Sequence, residues 1–182
     1  MSRIASPDRF RVAFVSMFLL WGLCGLQTDS CAAQKLYVIG DSTAASYPPD
    51  RYPLTGWAQL LQEFLDPETL QVENRARSGR SARSFLEEGA WGDLVDQLCR
   101  GDYVLIQFGH NDAKVEDPAR YTDPGTTYRH YLKTYIQDAR ARGAIPIVLT
   151  SIHRNAWTDD TAITDTLGGY PQAARDVARE ME

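Results

Sequence analysis

Apolar residues follow two rhythms along this chain. KLYVIG (35–40), DYVLIQFG (102–109) and IPIVLTS (145–151) are apolar almost without interruption, and LQVENRA (70–76) adds a shorter run. Runs of four to eight such residues predict strands buried on both faces. Between them, apolar positions recur every three or four residues. GWAQLLQEFL (56–65) sets Trp57, Leu60, Leu61, Phe64 and Leu65 at helical spacing. WGDLVDQLC (91–99) groups Leu94, Val95 and Leu98. TTYRHYLKTYIQDARARG (126–143) lines up Tyr128, Tyr131, Leu132, Tyr135, Ile136 and Ala139, with Gly143 as a natural stop. YPQAARDVAREME (170–182) starts a helix with Pro171 in its first turn.

Buried strands alternating with amphipathic helices predict a three-layer α/β/α, doubly wound parallel sheet. Such a sheet binds ligands outside the carboxyl ends of its strands. The chemistry is therefore to be sought just after residues 40, 76, 109 and 151.

The first 33 residues follow a different pattern. Arg3, Arg9 and Arg11 precede the apolar run Val12 to Leu26, and Ala32 and Ala33 offer a small-residue cleavage point. This layout predicts a secretory signal peptide over 1–33 and a secreted or periplasmic protein. The apolar run is shorter than the roughly 20 residues that span a bilayer, so no membrane association is expected after cleavage. Residues 34–182 suffice for one domain with its own core.

Removing 1–33 takes three Arg and two Asp from totals of 19 basic and 24 acidic residues, leaving 16 against 22. That acidic balance argues against nucleic acid as a partner. Cys99 is the single cysteine of 34–182, so that segment cannot cross-link itself or build a thiolate metal site. No His, Asp and Glu have metal-ligand spacing and no glycine-rich phosphate loop follows a strand, so neither metal nor cofactor is expected.

Three strand ends carry distinctive residues. The first run stops at Gly40-Asp41-Ser42, the second enters NRARSGRSARSF around Gly79, and the third closes in Gly109-His110-Asn111-Asp112. Any one of these could be an ordinary turn. Together, YVIGDSTAA, NRARSGRSARSF, IQFGHND and DTLGGYPQAARDVARE resemble the SGNH (GDSL-type) hydrolases, in their rhamnogalacturonan acetylesterase-like branch. The resemblance spans residues 35–182 and implies a flavodoxin-like fold that hydrolyses carboxylic esters, removing O-acetyl groups from a pectic polysaccharide.

It also implies the roles of particular residues. Ser42 would be the nucleophile, with the Ser42 and Gly79 N–H groups and the Asn111 amide as oxyanion donors. These residue types suit those roles, since a glycine lets backbone approach substrate and an amide is a neutral donor. His110 is expected to point away from the donor beside it and shape the pocket. Asp112 is expected to support the loop after the third strand. Arg75, Arg77, Arg80 and Arg83 stand out in an acidic protein. Arg80 and Arg83 could meet substrate carboxylates, or the group could be a solvated loop, or form internal salt bridges to Glu87 and Glu88. Trp57 and Trp91 fit core positions better than sugar platforms.

The sequence departs from the family at one point. The family takes its base from a late Asp-x-x-His element beyond a fifth strand. None of His110, His130 and His153 has an Asp three residues before it. The segment is thus expected to be a C-terminally incomplete esterase domain, lacking the last strand and helix and weakly active or inactive. Its fourth strand would be an unpaired apolar edge. His153 is the best local candidate for a base, and a non-catalytic carbohydrate-binding remnant is the alternative reading.

Overall fold

The computed structural model describes residues 34–158 and 160–182; the expected leader lies outside them. Four parallel strands form one sheet: β1 (Gln34–Gly40), β2 (Leu70–Asn74), β3 (Tyr103–Gln107) and β4 (Ile145–Val148). Their order is β2-β1-β3-β4, so β1 and β3 are central. Gly40 lies opposite Gln107, and Val38 opposite Asn74. This register brings the segments after β1, β2 and β3 out at one edge.

Side chains alternate across β1. Tyr37 and Ile39 join Val104 and Ile106 on the thicker side, under α1 (Ala82–Glu87), α2 (Ala90–Val95), α3 (Thr127–Ala141) and α4 (Tyr170–Glu180). Aromatic rings fill this core: Trp91 meets Tyr135 edge-on at 4.9 Å, and Phe108 lies 5.5 Å from Phe85 and 5.7 Å from Tyr135. Each such ring, fully buried, contributes roughly 1.5–3 kcal/mol through area removed from water. Trp91 is a core residue, as expected. Val38 faces the other side, with Ala44, Ala58 and the half-buried Trp57, Leu61 and Val72.

That second layer differs from the helix expected over 56–65. Trp57–Phe64 is a 3-10 helix. Three residues per turn do not keep a 3.6-residue stripe on one face. Leu60 and Phe64 are accordingly 49% and 79% exposed, and Ala58 is the segment's buried residue. Gly56 lets this layer close on the sheet, since a Cβ there would sit 2.1 Å from the Ala45 carbonyl oxygen.

Helix α1 lies where the sequence suggests only a flexible turn. Ser81 caps it: its Oγ accepts from the Ser84 N–H at 3.1 Å, while Ser84 Oγ accepts from the Ser81 N–H at 2.9 Å. Serine stands where Glu or Gln usually completes this reciprocal box, so the customary signature is missing. At the other end of the sheet, β4 is an edge strand with Ile145 and Ile147 43% and 39% exposed, in line with the expected apolar edge.

Candidate active site

The turn after β1 is shaped by Asp41. Its buried carboxylate accepts from the Thr43 N–H at 2.9 Å and the Thr43 hydroxyl at 2.8 Å, while its carbonyl accepts from the N–H groups of Ala44 and Ala45. This side-chain-to-backbone turn explains an acid between Gly40 and Ser42. It leaves Ser42 half-buried at the strand tip. The Tyr47 hydroxyl donates to the Ser42 carbonyl at 2.8 Å and accepts from the Ser78 hydroxyl at 3.1 Å. The serine turn and the Gly79 turn are thereby tied through one phenol.

The path after β2 rises beside β1, because the N–H groups of Arg75 and Arg77 donate to the carbonyls of Val38 and Gly40. Gly79 then takes φ +78°, a conformation that costs glycine little. After β3, the buried Asn111 donates from Nδ2 to the Arg80 carbonyl at 2.9 Å. Its second amide N–H has no bond among the described residues. Ser42, Gly79 and Asn111 thus share one edge, joined by hydrogen bonds from 42 through 47 to 78 and from 80 to 111.

Below them lies a residue to which the sequence assigns no role. Gln107 Oε1 accepts from the Trp57 indole at 2.6 Å and lies 3.3 Å from the Thr43 hydroxyl, while Nε2 donates to the Thr150 carbonyl at 2.9 Å. One buried amide so links the turn after β1, the 3-10 layer and the segment after β4. A polar residue inside an otherwise apolar strand was the available signal.

Asp112 supports the loop after β3 from within, as expected, and ties it to the start of α1. Its Oδ1 accepts from the Ala82 N–H at 3.0 Å and the Thr122 hydroxyl at 2.8 Å. Its Oδ2 has no partner among the described residues. Burial pushes this carboxyl up to about 7, with the Thr122 and Ala82 hydrogen bonds acting the other way.

The remaining residues divide. Arg80 Nε lies 2.6 Å from Glu88 Oε2, out of line for a hydrogen bond. Arg83 donates to Glu87 at 2.9 Å and to the Pro118 carbonyl at 2.9 Å. Both arginines are therefore engaged within the protein. The His110 ring donates from Nε2 to the Ile152 carbonyl at 2.8 Å, and Arg154 donates to the His110 and Thr166 carbonyls. Arg154, which no sequence pattern marks, clamps the segments after β3 and β4 together. His153 is exposed, and His130 is exposed on α3 against Tyr131. No described side chain hydrogen-bonds the Ser42 hydroxyl. Among the described residues no cluster of His, Cys, Asp and Glu could hold a metal ion, and no helix is long and apolar enough to cross a membrane.

The GDSL-like Lipase/Acylhydrolase family matches residues 38–182, four fifths of the sequence. The chain belongs to this family. Rhamnogalacturonan acetylesterase RhgT of Bacillus subtilis is 37% identical over 148 residues, covering 81% of this chain and 62% of the relative. Probable rhamnogalacturonan acetylesterase YesY of the same organism is 42% identical over 133 residues, covering 73% and 60%. The chain thus spans about three fifths of the length of these relatives. Among solved structures, the YxiM protein of Bacillus subtilis superposes with a TM-score of 0.72 at 27% identity, covering 81% of this chain and 41% of that one.

Proposed function

We propose that this chain carries the nucleophile and oxyanion-binding half of a serine esterase that removes O-acetyl groups from a pectic polysaccharide. The observation that carries the reading is the hydrogen-bonded edge on which Ser42, Gly79 and Asn111 meet. The two rhamnogalacturonan acetylesterase relatives support the substrate class. Ser42 Oγ would attack the acetyl carbonyl, and the Ser42 and Gly79 N–H groups and the Asn111 amide would receive the developing oxyanion. Collapse of that intermediate expels the sugar hydroxyl and leaves acetyl-Ser42, which water then cleaves to acetate. A base must take the Ser42 proton from about 3 Å. His153, in the exposed segment after β4, is the candidate the sequence offers for that base. The basic start and apolar run of 1–33 support export as the setting for such a substrate.

One observation favours a second reading, saccharide binding without turnover: the Ser42 hydroxyl has no base bonded to it among the described residues. Acetate release from acetylated rhamnogalacturonan by the chain and by Ser42→Ala separates the two. Release that disappears in Ser42→Ala is expected. Release that persists in the variant would overturn Ser42 as nucleophile. Saccharide binding with no release, indifferent to Ser42→Ala, would establish the second reading instead.

A further inference from the structure

The arginines around the Gly79 turn differ in what holds them. Arg75 lies 3.4 Å from Glu73 and donates to Gln97 at 3.1 Å. Arg80 is beside Glu88, and Arg83 is shared between Glu87 and the Pro118 carbonyl. In each of the three a terminal guanidinium nitrogen is already bonded, that of Arg80 to the Ser78 carbonyl at 3.4 Å, which leaves less for an incoming carboxylate. Two arginines are left. Arg77 is exposed and forms no ion pair among the described residues, and its N–H donates to the Gly40 carbonyl two residues before Ser42.

Arg120, which lies outside the basic sequence run, is placed more tellingly. Its Nε is held by Asp117 Oδ2 at 3.1 Å. The rest of the guanidinium hangs over Gly79: Cζ and Nη1 lie 3.9 Å, and Nη2 4.0 Å, from the point a Cβ of residue 79 would occupy. Neither terminal nitrogen has a hydrogen bond among the described residues. The loop that carries it is fixed, since Arg83 donates to the Pro118 carbonyl and the Thr122 hydroxyl to buried Asp112. The result is a guanidinium oriented through Nε with both terminal amino groups unused, above a proposed oxyanion donor.

We infer that Arg120 is a specificity-determining residue that binds a carboxylate of an acidic sugar next to the scissile ester, with Arg77 adding positive charge on the β1 side. The planar fork accepts a carboxylate through two parallel N–H bonds, a geometry lysine cannot copy. Arg83 is then a positioning residue, acting through the Pro118 carbonyl. The inference rests on the proposed function, in which Gly79 borders the reacting ester.

The test is a calorimetric titration of the chain, carried out in a Ser42→Ala background, with oligogalacturonate and with the same oligosaccharide fully methyl-esterified. Tighter binding of the carboxylate form by about tenfold is expected. Arg120→Gln should remove that preference, while Arg75→Gln, with the same loss of charge, should keep it within about twofold. Arg120→Lys should retain only part of it, and serves as the working variant if Arg120→Gln fails to unfold cooperatively. A wild-type chain that prefers neither form, or a preference surviving in both Arg120 variants, would overturn the inference. The outcome is independent of turnover. Carboxylate preference without acetate release from the parent chain would keep Arg120 as a carboxylate site and remove its place beside a scissile ester, whereas release without preference would remove the inference alone.

Discussion

On the β1–β2–β3 side of the sheet's carboxyl edge, every turn near Ser42 is tied to another. Asp41 shapes the serine turn, Tyr47 joins it to Ser78, Asn111 reaches Arg80, and Gln107 supports them from below. On the β4 side the chain runs through exposed Ile152 and His153 to an isolated bridge between Trp157 and Ile163, with Trp157 54% exposed. His110, Ser151 and Arg154 hold that segment to the end of β3 and its following turn. Both β2 and β4 are edge strands, so the contrast follows from what each outgoing segment bonds: the one after β2 rises along β1 through the Arg75 and Arg77 N–H groups, whereas the one after β4 turns out into solvent at Ile152 and His153. Donors aimed at a developing negative charge must be fixed beforehand to be useful. In this chain the fixed side is the one that holds the proposed donors.

The comparison can be broken most forcefully in the core. Phe85→Ala, beneath the well-tied side, should lower stability by about 3–5 kcal/mol in urea unfolding. A loss below about 1 kcal/mol would mean that this side is not the rigid one. Next, Asn111→Ala removes both the tie to Arg80 and a proposed oxyanion donor. Ester turnover should fall by about 3 kcal/mol of transition-state stabilisation, on the order of a hundredfold. An unchanged rate would exclude the amide from the site.

Asp112 sharpens the comparison through pH. Burial raises its carboxyl to about 7, whereas an unfolded aspartate titrates near about 3.9. Between those values the native protein keeps a proton that the unfolded chain has released. Stability should therefore fall as pH rises from about 4 to about 7 and level off above, by on the order of 4 kcal/mol. Asp112→Asn keeps an acceptor for Ala82 and Thr122 and should flatten that slope, as read by unfolding midpoints across the range. A slope that survives in the variant would assign it to another group. The smallest effect belongs to the β4 edge. Ile147→Thr, at a position 39% exposed, should shift stability by less than about 0.5 kcal/mol.

Much of this was legible in the pattern of residues. The four apolar runs are the four strands, and the residues at the ends of the first three form the shared edge. The long aromatic stripe of 126–143 is α3, because Tyr128, Leu132, Tyr135 and Ile136 recur on one helical face and all four are buried. What escaped were features set by long-range contact. The stripe at 56–65 reads as an α-helix, yet the close approach of Gly56 to Ala45 accompanies a 3-10 segment that leaves Phe64 in solvent. Helix α1 was hidden because Ser84 completes its cap. The basic run left Arg80 and Arg83 open between substrate contact and pairing with Glu87 and Glu88, and it is the fold of α1 that brings those glutamates within reach. Tyr47, Gln107 and Arg120 gain their significance from partners far off in sequence, which no local spacing reveals.

The most direct measurement is a crystal structure of the chain after reaction with a fluorophosphonate, a serine-directed probe whose adduct carries a tetrahedral phosphorus with an oxygen in place of the oxyanion. The expected result is a single adduct on Ser42 Oγ, with that oxygen about 3 Å from the Ser42 and Gly79 nitrogens and Asn111 Nδ2. An adduct on another serine, or folded protein that stays unmodified at Ser42, would contradict the assignment of this edge as the ester-cleaving site.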